Sequence, residues 1–252
     1  MPAFSFLKTW RALGDFIFPL SCAGCGRQGA FACAECLNQA PLLSRMERGT
    51  GDLEALHAAY PYAFPLIKGI IKSYKYYWCH EAEASVEALA RRWSQSFAAA
   101  RLPEDAVVVP VPLHPLRLKE RGFNQAEAVA RGLAAPTGLS VMPELLRRVR
   151  YAAPQARTDD RERIEGLGLF SASSKARGRT IIIADDVWTT GATMGECAAA
   201  LREVGAARVI GFALADAHSQ RKQTERKQRV LEAESRWWKL RKIIRDWLLL
   251  RD

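Results

Sequence analysis

The sequence has 252 residues, enough for one core domain of ordinary size with smaller appendages. Its 49% hydrophobic content is normal for a folded globular protein, and no stretch resembles a membrane span. Charged residues interrupt the apolar positions between Phe4 and Leu20, so no signal peptide is predicted and a cytoplasmic location is expected.

The formal net charge of +10 favours binding to nucleic acid, to phosphorylated ligands or to an anionic membrane surface. This charge is unevenly distributed along the chain. Residues 218–252 contain eleven Lys or Arg and five Asp or Glu, and so carry +6, whereas the first 217 residues carry +4. The basic character therefore lies largely in the C-terminal tail.

Four cysteines lie close together near the N-terminus, in the pattern CAGC-x7-CAEC. Two CxxC pairs present four thiolates in two short turns, which is the arrangement that tetrahedral Zn²⁺ favours. Gly24 and Gly26 give the first turn the freedom to wrap around a metal. Disulfides are the competing interpretation, which a reducing cytosol disfavours, and an iron–sulfur cluster also accepts four cysteines. A structural zinc site is therefore predicted at Cys22, Cys25, Cys33 and Cys36.

Two helices are predicted between the cysteines and the first buried strand. In residues 66–78, LIKGIIKSYKYYW, apolar residues recur at helical spacing, so one face packs inward while the lysines are solvated. The alternative for this segment is a nucleic-acid surface, in which lysines follow phosphates and aromatic rings stack on bases. Residues 83–99 repeat apolar positions at spacings of three and four, which predicts a helix that buries one face.

A buried strand is predicted at residues 106–111, AVVVPV, where prolines end the strand and fix a stiff loop. Arg117, Lys119 and Arg121 follow in that loop, and a helix begins near Asn124. A strand, a stiff loop, three cations and a helix start together suit a highly charged phosphate group. The alternative is a solvated basic loop with Asn124 as an ordinary N-cap. We favour the anion site because of the motif that follows later in the chain.

Residues 180–193, TIIIADDVWTTGAT, combine a strand, two acids and a loop. The β-branched residues 180–183 predict a buried strand of a parallel sheet, which ends where Asp185 and Asp186 begin. The loop offers backbone N–H groups, hydroxyl groups and a helix dipole, which together suit a phosphate. The two acids suit the hydroxyls of a sugar, or a Mg²⁺ ion that the phosphates share. Phosphate on one side and a diol on the other describe a ribose 5-phosphate.

This stretch resembles the phosphoribosyl pyrophosphate (PRPP) signature of the type I phosphoribosyltransferases, in which strand, acid pair and TTGAT-type loop follow in that order. The resemblance implies an α/β fold with a parallel sheet flanked by helices, and PRPP bound together with Mg²⁺. It implies that Asp185 and Asp186 contact the ribose hydroxyls. It also implies that the 5-phosphate is held by Thr189, Thr190, Gly191, Ala192 and Thr193.

The ordered set of motifs resembles the ComF competence-protein family: two CxxC pairs, a Lys-Tyr segment, VPVPLHPLRLKERGFNQAE and the PRPP signature. Those proteins join an N-terminal zinc ribbon to a phosphoribosyltransferase-like domain. The resemblance implies a role in DNA uptake during natural transformation, with single-stranded DNA and inner-membrane DNA-uptake and recombination proteins as partners. It implies that Lys75 faces the ligand or DNA. The residues implied to face the pyrophosphate are Pro112, Leu113, Arg117 and Arg121.

We expect three parts in the chain: an N-terminal helix with the zinc ribbon in residues 1–45, the phosphoribosyltransferase-like domain in 46–217, and a helical basic tail in 218–252. The tail spaces apolar residues among basic ones, which predicts an amphipathic helix at the inner-membrane surface. DNA, a protein partner and an extension without a partner are the alternatives. The apolar positions are Trp237, Leu240, Ile244 and Trp247.

Two functions are compatible with this sequence. In the first, the protein acts in DNA uptake and grips single-stranded DNA, with PRPP as a regulator or a relic. In the second, it is a transferase in which a nitrogen nucleophile displaces pyrophosphate from C1 of the ribose, and a positively polarised site stabilises the departing charge. The sequence indicates no general base and no acceptor pocket, so no catalytic residue is predicted. We favour the DNA-uptake role.

Overall fold

The computed structural model describes residues 20–43, 45–49, 51–76, 81–150 and 168–218. The helices in these ranges are α1 (Ala34–Gln39), α2 (Pro65–Tyr76), α3 (Glu81–Arg101), α4 (Pro115–Arg121), α5 (Gln125–Ala134) and α6 (Ala192–Glu203). The strands are β1 (Arg45–Arg48), β2 (Ala55–Pro61), β3 (Val107–Pro110), β4 (Ser140–Val141), β5 (Leu146–Arg148), β6 (Phe170–Ala172), β7 (Thr180–Trp188) and β8 (Arg208–Asp216). Two 3-10 turns lie at Pro143–Leu145 and Ser174–Ala176.

Six strands form one sheet in the order β1-β2-β8-β7-β3-β4, and β5 and β6 form a separate antiparallel pair. All neighbours in the large sheet are parallel except β1, which pairs antiparallel with β2 at the edge. Apolar clusters cover both faces of the sheet, with α2, α3 and α5 contributing to one cluster and α6 to the other. The predicted α/β fold with a sheet flanked by helices is confirmed. The antiparallel edge strand was not predicted.

The central strand β7 is longer than predicted. The prediction ended this strand before Asp185, whereas the structure continues it through both acids to Trp188. The reason is that β8 keeps pairing with it, Val187 opposite Ala215 and Trp188 opposite Asp216, while pairing with β3 stops at Ala184. The two acids therefore lie on a part of β7 that has a partner strand on one side, and the other side is open.

The two helices predicted before the strand at residues 106–111, α2 and α3, bury the faces that their spacing indicates. In α2 the buried side chains are Leu66, Ile67, Ile70, Ile71 and Tyr74. In α3 they include Val86, Leu89, Ala90 and Trp93. Lys68 and Lys72 of α2 are exposed, in agreement with an amphipathic helix whose lysines are solvated.

The basic segment after β3 forms a short helix, α4, and not the stiff loop that was predicted. Pro115 stands at its first turn, where its fixed φ suits a helix start. The Nδ1 atom of His114 accepts a hydrogen bond from the N–H of Leu116 at 3.3 Å. Gly122, with φ +78°, ends the helix in the left-handed region that glycine adopts most readily. The sequence signals that indicate this helix are its cap residues, His114 and Gly122. The prediction instead followed the cations between them, which are typical of a solvated loop.

Several predictions fall outside the described residues: the N-terminal helix in residues 1–19 and the basic tail beyond His218. Within the ranges that the structure describes, no helix is long and apolar enough to cross a membrane.

Candidate ligand cavity and metal site

The four N-terminal cysteines come together in space, as predicted. Their Sγ atoms all lie within 4.8 Å of one another. The Sγ atoms of Cys25 and Cys33 are 3.7 Å apart, close to the separation of about 3.8 Å that tetrahedral geometry gives for Zn–S bonds of about 2.3 Å. The N–H groups of Gly24 and Cys33 donate to the Sγ of Cys22 at 3.4 and 3.3 Å. This cluster could hold a metal ion, and its chemistry fits a structural Zn²⁺.

The backbone donors at Cys22 and the packing of this cluster suit the same metal. Burial alone would raise the pKa of Cys22, but the backbone N–H groups of Cys33, Cys25 and Gly24 outweigh burial and lower that pKa to about 6. A Cβ atom at Gly24 would lie 3.0 Å from the Sγ of Cys36 and 3.2 Å from Leu66 of α2. A side chain there would push the turn away from the ligand cluster, so glycine lets the knuckle close against the core. Because all four ligands are protein sulfurs, such a metal would hold structure and not catalyse.

A cavity of about 470 Å³ lies at the carboxyl ends of β3 and β7, where parallel α/β sheets bind ligands. The predicted acids and two of the predicted threonines, Thr189 and Thr193, line it. Asp186 is buried and Asp185 is half-buried. An Oδ1 atom of Asp185 accepts a hydrogen bond from the N–H of Asp186 at 2.8 Å. Both acids thus line the cavity, in the part of β7 that has no pairing with β3.

The loop after β7 turns sharply into α6. Gly191 precedes the helix with φ +83°, and a Cβ atom there would lie 3.4 Å from Nε1 of Trp188. The Oγ1 atom of Thr190 accepts a hydrogen bond from the N–H of Ala192 at 3.3 Å. The N-cap residue Gly191 has no side chain that could accept from the first turn of α6, and the positive end of the helix dipole lies at this loop. Thr190, Gly191 and Ala192 shape this loop, although they are not among the residues that line the cavity.

Residues next to the loop fix its first carbonyl group. The ring of His218 stacks on Trp188, with centroids 4.7 Å apart and planes at 9°, and its Nδ1 lies 2.8 Å from the carbonyl oxygen of Thr189. The guanidinium of Arg45 lies 5.3 Å from the centroid of the Trp188 ring and bonds the buried Asp216 at 2.7 Å. The edge strand β1 therefore supports the loop through Trp188.

The predicted anion-binding segment reaches the same cavity from the other side. Its lining residues are Pro112, Leu113, Arg117 and Arg121. The two arginines are four residues apart on α4, hence on one face, whereas Lys119 between them is exposed and is not a lining residue. Asn124 is indeed the N-cap of α5, since its Oδ1 accepts from Ala126, and it also lines the cavity. The anion site and the cap are therefore compatible interpretations of one segment.

Several lining residues were not predicted, and Gln125 and Arg148 are two of the polar ones. Gln125 directly follows the cap residue of α5, and that position was its only sequence signal. Arg148 ends β5 and its guanidinium lies 5.4 Å from the centroid of the Phe170 ring; nothing in the sequence around it indicates a site. Of Lys75 the structure describes only the backbone, in α2, so its predicted contact stays a prediction.

Comparison with known proteins gives evidence on the family that is independent of the cavity geometry. A family model described as phosphoribosyl transferase domain matches residues 86–242. Competence protein F of Haemophilus influenzae is 26% identical over 206 residues, which cover 78% of this chain and 84% of that protein.

Two further relatives match shorter stretches. DNA utilization protein YhgH of Salmonella typhi is 37% identical over 127 residues, covering 48% of this chain and 56% of that protein. Competence protein ComFC of Bacillus subtilis is 34% identical over 131 residues, covering 51% of this chain and 52% of that protein. The matched region thus spans about half the length of these two relatives. The resemblance to the ComF competence proteins is confirmed, and the chain belongs to the phosphoribosyl transferase domain family.

Proposed function

We propose that this protein acts in DNA uptake during natural transformation, binding single-stranded DNA, and that its cavity binds PRPP together with Mg²⁺. The relatives named as competence and DNA utilization proteins support the role in DNA uptake. The cavity supports the ligand, because its lining supplies a separate group for each part of PRPP. We also propose the division of the chain at residues 45 and 217, and a cytoplasmic protein that meets the inner membrane through its tail.

In this proposal the carboxylates of Asp185 and Asp186 accept hydrogen bonds from the ribose hydroxyls. Their oxygen atoms also suit Mg²⁺, which would neutralise part of the phosphate charge. The loop from Thr189 to Thr193 donates N–H and hydroxyl hydrogen bonds to the 5-phosphate at the start of α6. Arg117 and Arg121 of α4 attract the pyrophosphate through charge-assisted hydrogen bonds.

The observation that carries this assignment is the convergence of two distant chain segments on one cavity. One segment contains Arg117 and the other contains Asp185 and Thr189, and more than sixty residues of sequence separate the two. The lining contains both carboxylates, which accept from hydroxyls, and cationic or hydroxyl donors, which suit phosphates, and PRPP carries both kinds of group. A solvated basic loop with surface aspartates would not require these side chains to share a concave site.

The test is calorimetric titration of PRPP with Mg²⁺ into the wild-type protein and into the Asp185→Asn/Asp186→Asn variant. We expect binding to the wild type and a loss of affinity of about 100-fold or more in the variant, because two charged acceptors are removed. The matched control is Glu104→Gln/Asp105→Asn, which removes two adjacent exposed carboxylates before β3, at the opposite end of that strand. Absence of binding to a folded wild type would contradict the proposed ligand.

A phosphoribosyl transfer reaction is the second candidate function. The cavity is lined beyond its polar groups by Tyr62, Ile71 and Val187, which leaves a less polar wall for an acceptor. In such a reaction the nitrogen lone pair of the acceptor forms a bond to C1 of the ribose. The bond from C1 to oxygen breaks, pyrophosphate leaves with the electron pair, and the nitrogen releases its proton to solvent. Pyrophosphate release that requires both PRPP and a nucleobase or an amine would support this candidate.

A further inference from the structure

Gln125, the first residue of α5, has a buried amide nitrogen without a partner. The residue is 3% exposed and lines the cavity. Its Oε1 accepts a hydrogen bond from Nη1 of Arg121 at 3.2 Å. Its Nε2, in contrast, has no hydrogen-bond partner among the described residues. Buried amide donors are almost always paired in folded proteins, so an unpaired one beside a cavity points to a partner that the protein alone does not supply.

The orientation of this amide follows from its neighbour. An arginine side chain offers only donors, so the amide oxygen must face Arg121 and the NH₂ group must face away from it. Gly122, with φ +78°, turns the chain so that the end of α4 meets the start of α5. Asn124 fixes that start to the sheet, since its Nδ2 donates to the carbonyl oxygen of Val111 at 3.0 Å and its Oδ1 accepts from Ala126 at 3.2 Å. If Oε1 and Nε2 of Gln125 were exchanged, the NH₂ group would face the N–H donors of Arg121.

The charges around the amide define the kind of atom that can pair with it. Arg117 and Arg121 line the cavity next to Gln125, and both are positively charged. An anionic oxygen is attracted to such a position, and it can accept an N–H bond from the amide while an arginine holds its charge. A cation or an apolar group would leave the amide unpaired.

We infer that Gln125 is a specificity-determining residue, whose Nε2 donates to an oxygen of the pyrophosphate of the bound ligand; this inference rests on the proposed function. A ligand that lacks the pyrophosphate leaves the donor buried and unpaired. Sites built to hydrogen-bond one group discriminate strongly against analogues without that group, for the same reason. Gln125 therefore raises the preference for PRPP over ribose 5-phosphate.

The experiment compares Gln125→Met with the wild-type protein, each titrated with PRPP and with ribose 5-phosphate in the presence of Mg²⁺. Methionine keeps the length and apolar body of the side chain but removes the Nε2 donor, together with the Oε1 acceptor of the bond from Arg121. We expect the affinity for PRPP to fall about 10-fold or more, while the affinity for ribose 5-phosphate changes less than about twofold. The control is Gln95→Met on the exposed face of α3, which should change neither.

A second measurement separates this role from a purely structural one. Gln125→Met removes an unpaired buried donor, which stabilises the ligand-free fold, and one hydrogen bond from Arg121, which destabilises it. Because these effects oppose each other, the ligand-free variant should have a thermal midpoint within about 2 °C of the wild type. A variant that loses both ligands equally, or that unfolds many degrees lower, would assign Gln125 to folding and overturn the inference. Unchanged PRPP affinity in Gln125→Met would overturn the role of Gln125 and leave the proposed ligand standing. A wild type that does not bind PRPP would overturn the proposed ligand and this inference together.

Discussion

Gly132 in α5 lies directly against the backbone of α3. A Cβ atom at this position would lie 2.3 Å from the carbonyl oxygen of Glu87 and 2.8 Å from the Cβ of Ala90. Both distances are far below van der Waals contact, and a backbone carbonyl cannot move aside as the end of a long side chain can. The close packing of α5 on α3 therefore depends on a hydrogen atom at residue 132. This contact matters for the cavity because α5 begins at Gln125 and Asn124 is its N-cap, and both residues line the cavity.

We expect Gly132→Ala to lower the free energy of unfolding by about 1–3 kcal/mol, since overpacking outweighs the better helix propensity of alanine. The matched control is Gly195→Ala in α6, where nothing lies within 4 Å of the added Cβ. That substitution should raise stability by about 0.5–1 kcal/mol, which is the helix-propensity difference alone. Urea denaturation of the three proteins measures both values. Equal effects of the two substitutions would mean that α3 and α5 are not in this close contact.

At the scale of elements, the cysteine cluster is fastened to the core by α2 and α3. Arg92 of α3 donates to the carbonyl oxygens of Ala40 and Asn38 at 2.6 and 2.8 Å, and Nε1 of Trp93 donates to that of Leu43 at 3.2 Å. Leu66 of α2 lies beneath Gly24, and Ile71 of the same helix lines the cavity. A metal at the cysteines would therefore stabilise the segment against which α2 and α3 pack.

Removal of the metal should destabilise more than the cysteine segment. We expect one zinc per chain by elemental analysis, and we expect chelation to lower the thermal midpoint by about 5 °C or more, because metal binding is coupled to the folding of its ligand loop. Re-addition of Zn²⁺ should restore the midpoint. The paired substitution Cys25→Ser/Cys33→Ser should reproduce the low midpoint and abolish the response to chelator. A metal-free protein with an unchanged midpoint would contradict a structural role.

The elements differ in how far the sequence predicted them. The buried faces of α2 and α3 followed from helical spacing, and the acid pair with its loop followed from a pattern that is local in sequence. The edge strand β1 escaped prediction because its residues Arg45–Arg48 are mostly charged and show no apolar alternation. Arg148 and Gln125 escaped because their places at the cavity depend on how β5 and the start of α5 pack on the sheet. A local sequence pattern predicts local structure. The remaining site residues reach the cavity only through tertiary packing, which such a pattern does not contain.

At the scale of the whole molecule, charge is divided between a mildly basic core and a strongly basic tail. Residues 218–252 carry +6 of the total +10, with Trp237 and Trp247 placed among the basic residues. Basic residues and aromatic rings together form the usual surface for single-stranded nucleic acid. The competing surface is α2, whose Lys68 and Lys72 are exposed. Besides the membrane contact proposed above, DNA is the alternative partner of the tail, and there the tail combines more charge with more aromatic rings than α2.

The two surfaces can be separated by the salt dependence of DNA binding. For single strands, each lost phosphate contact reduces the slope of log K against log salt by about 0.7. We expect Lys239→Gln/Lys242→Gln in the tail to reduce the slope by about 1.4, and the matched pair Lys68→Gln/Lys72→Gln on α2 to leave it within about 0.3. Fluorescence anisotropy with a labelled single-stranded oligonucleotide at several salt concentrations gives the slopes. A smaller slope in the α2 variant alone would assign the DNA contact to that helix. Binding without salt dependence would contradict phosphate contacts at either surface.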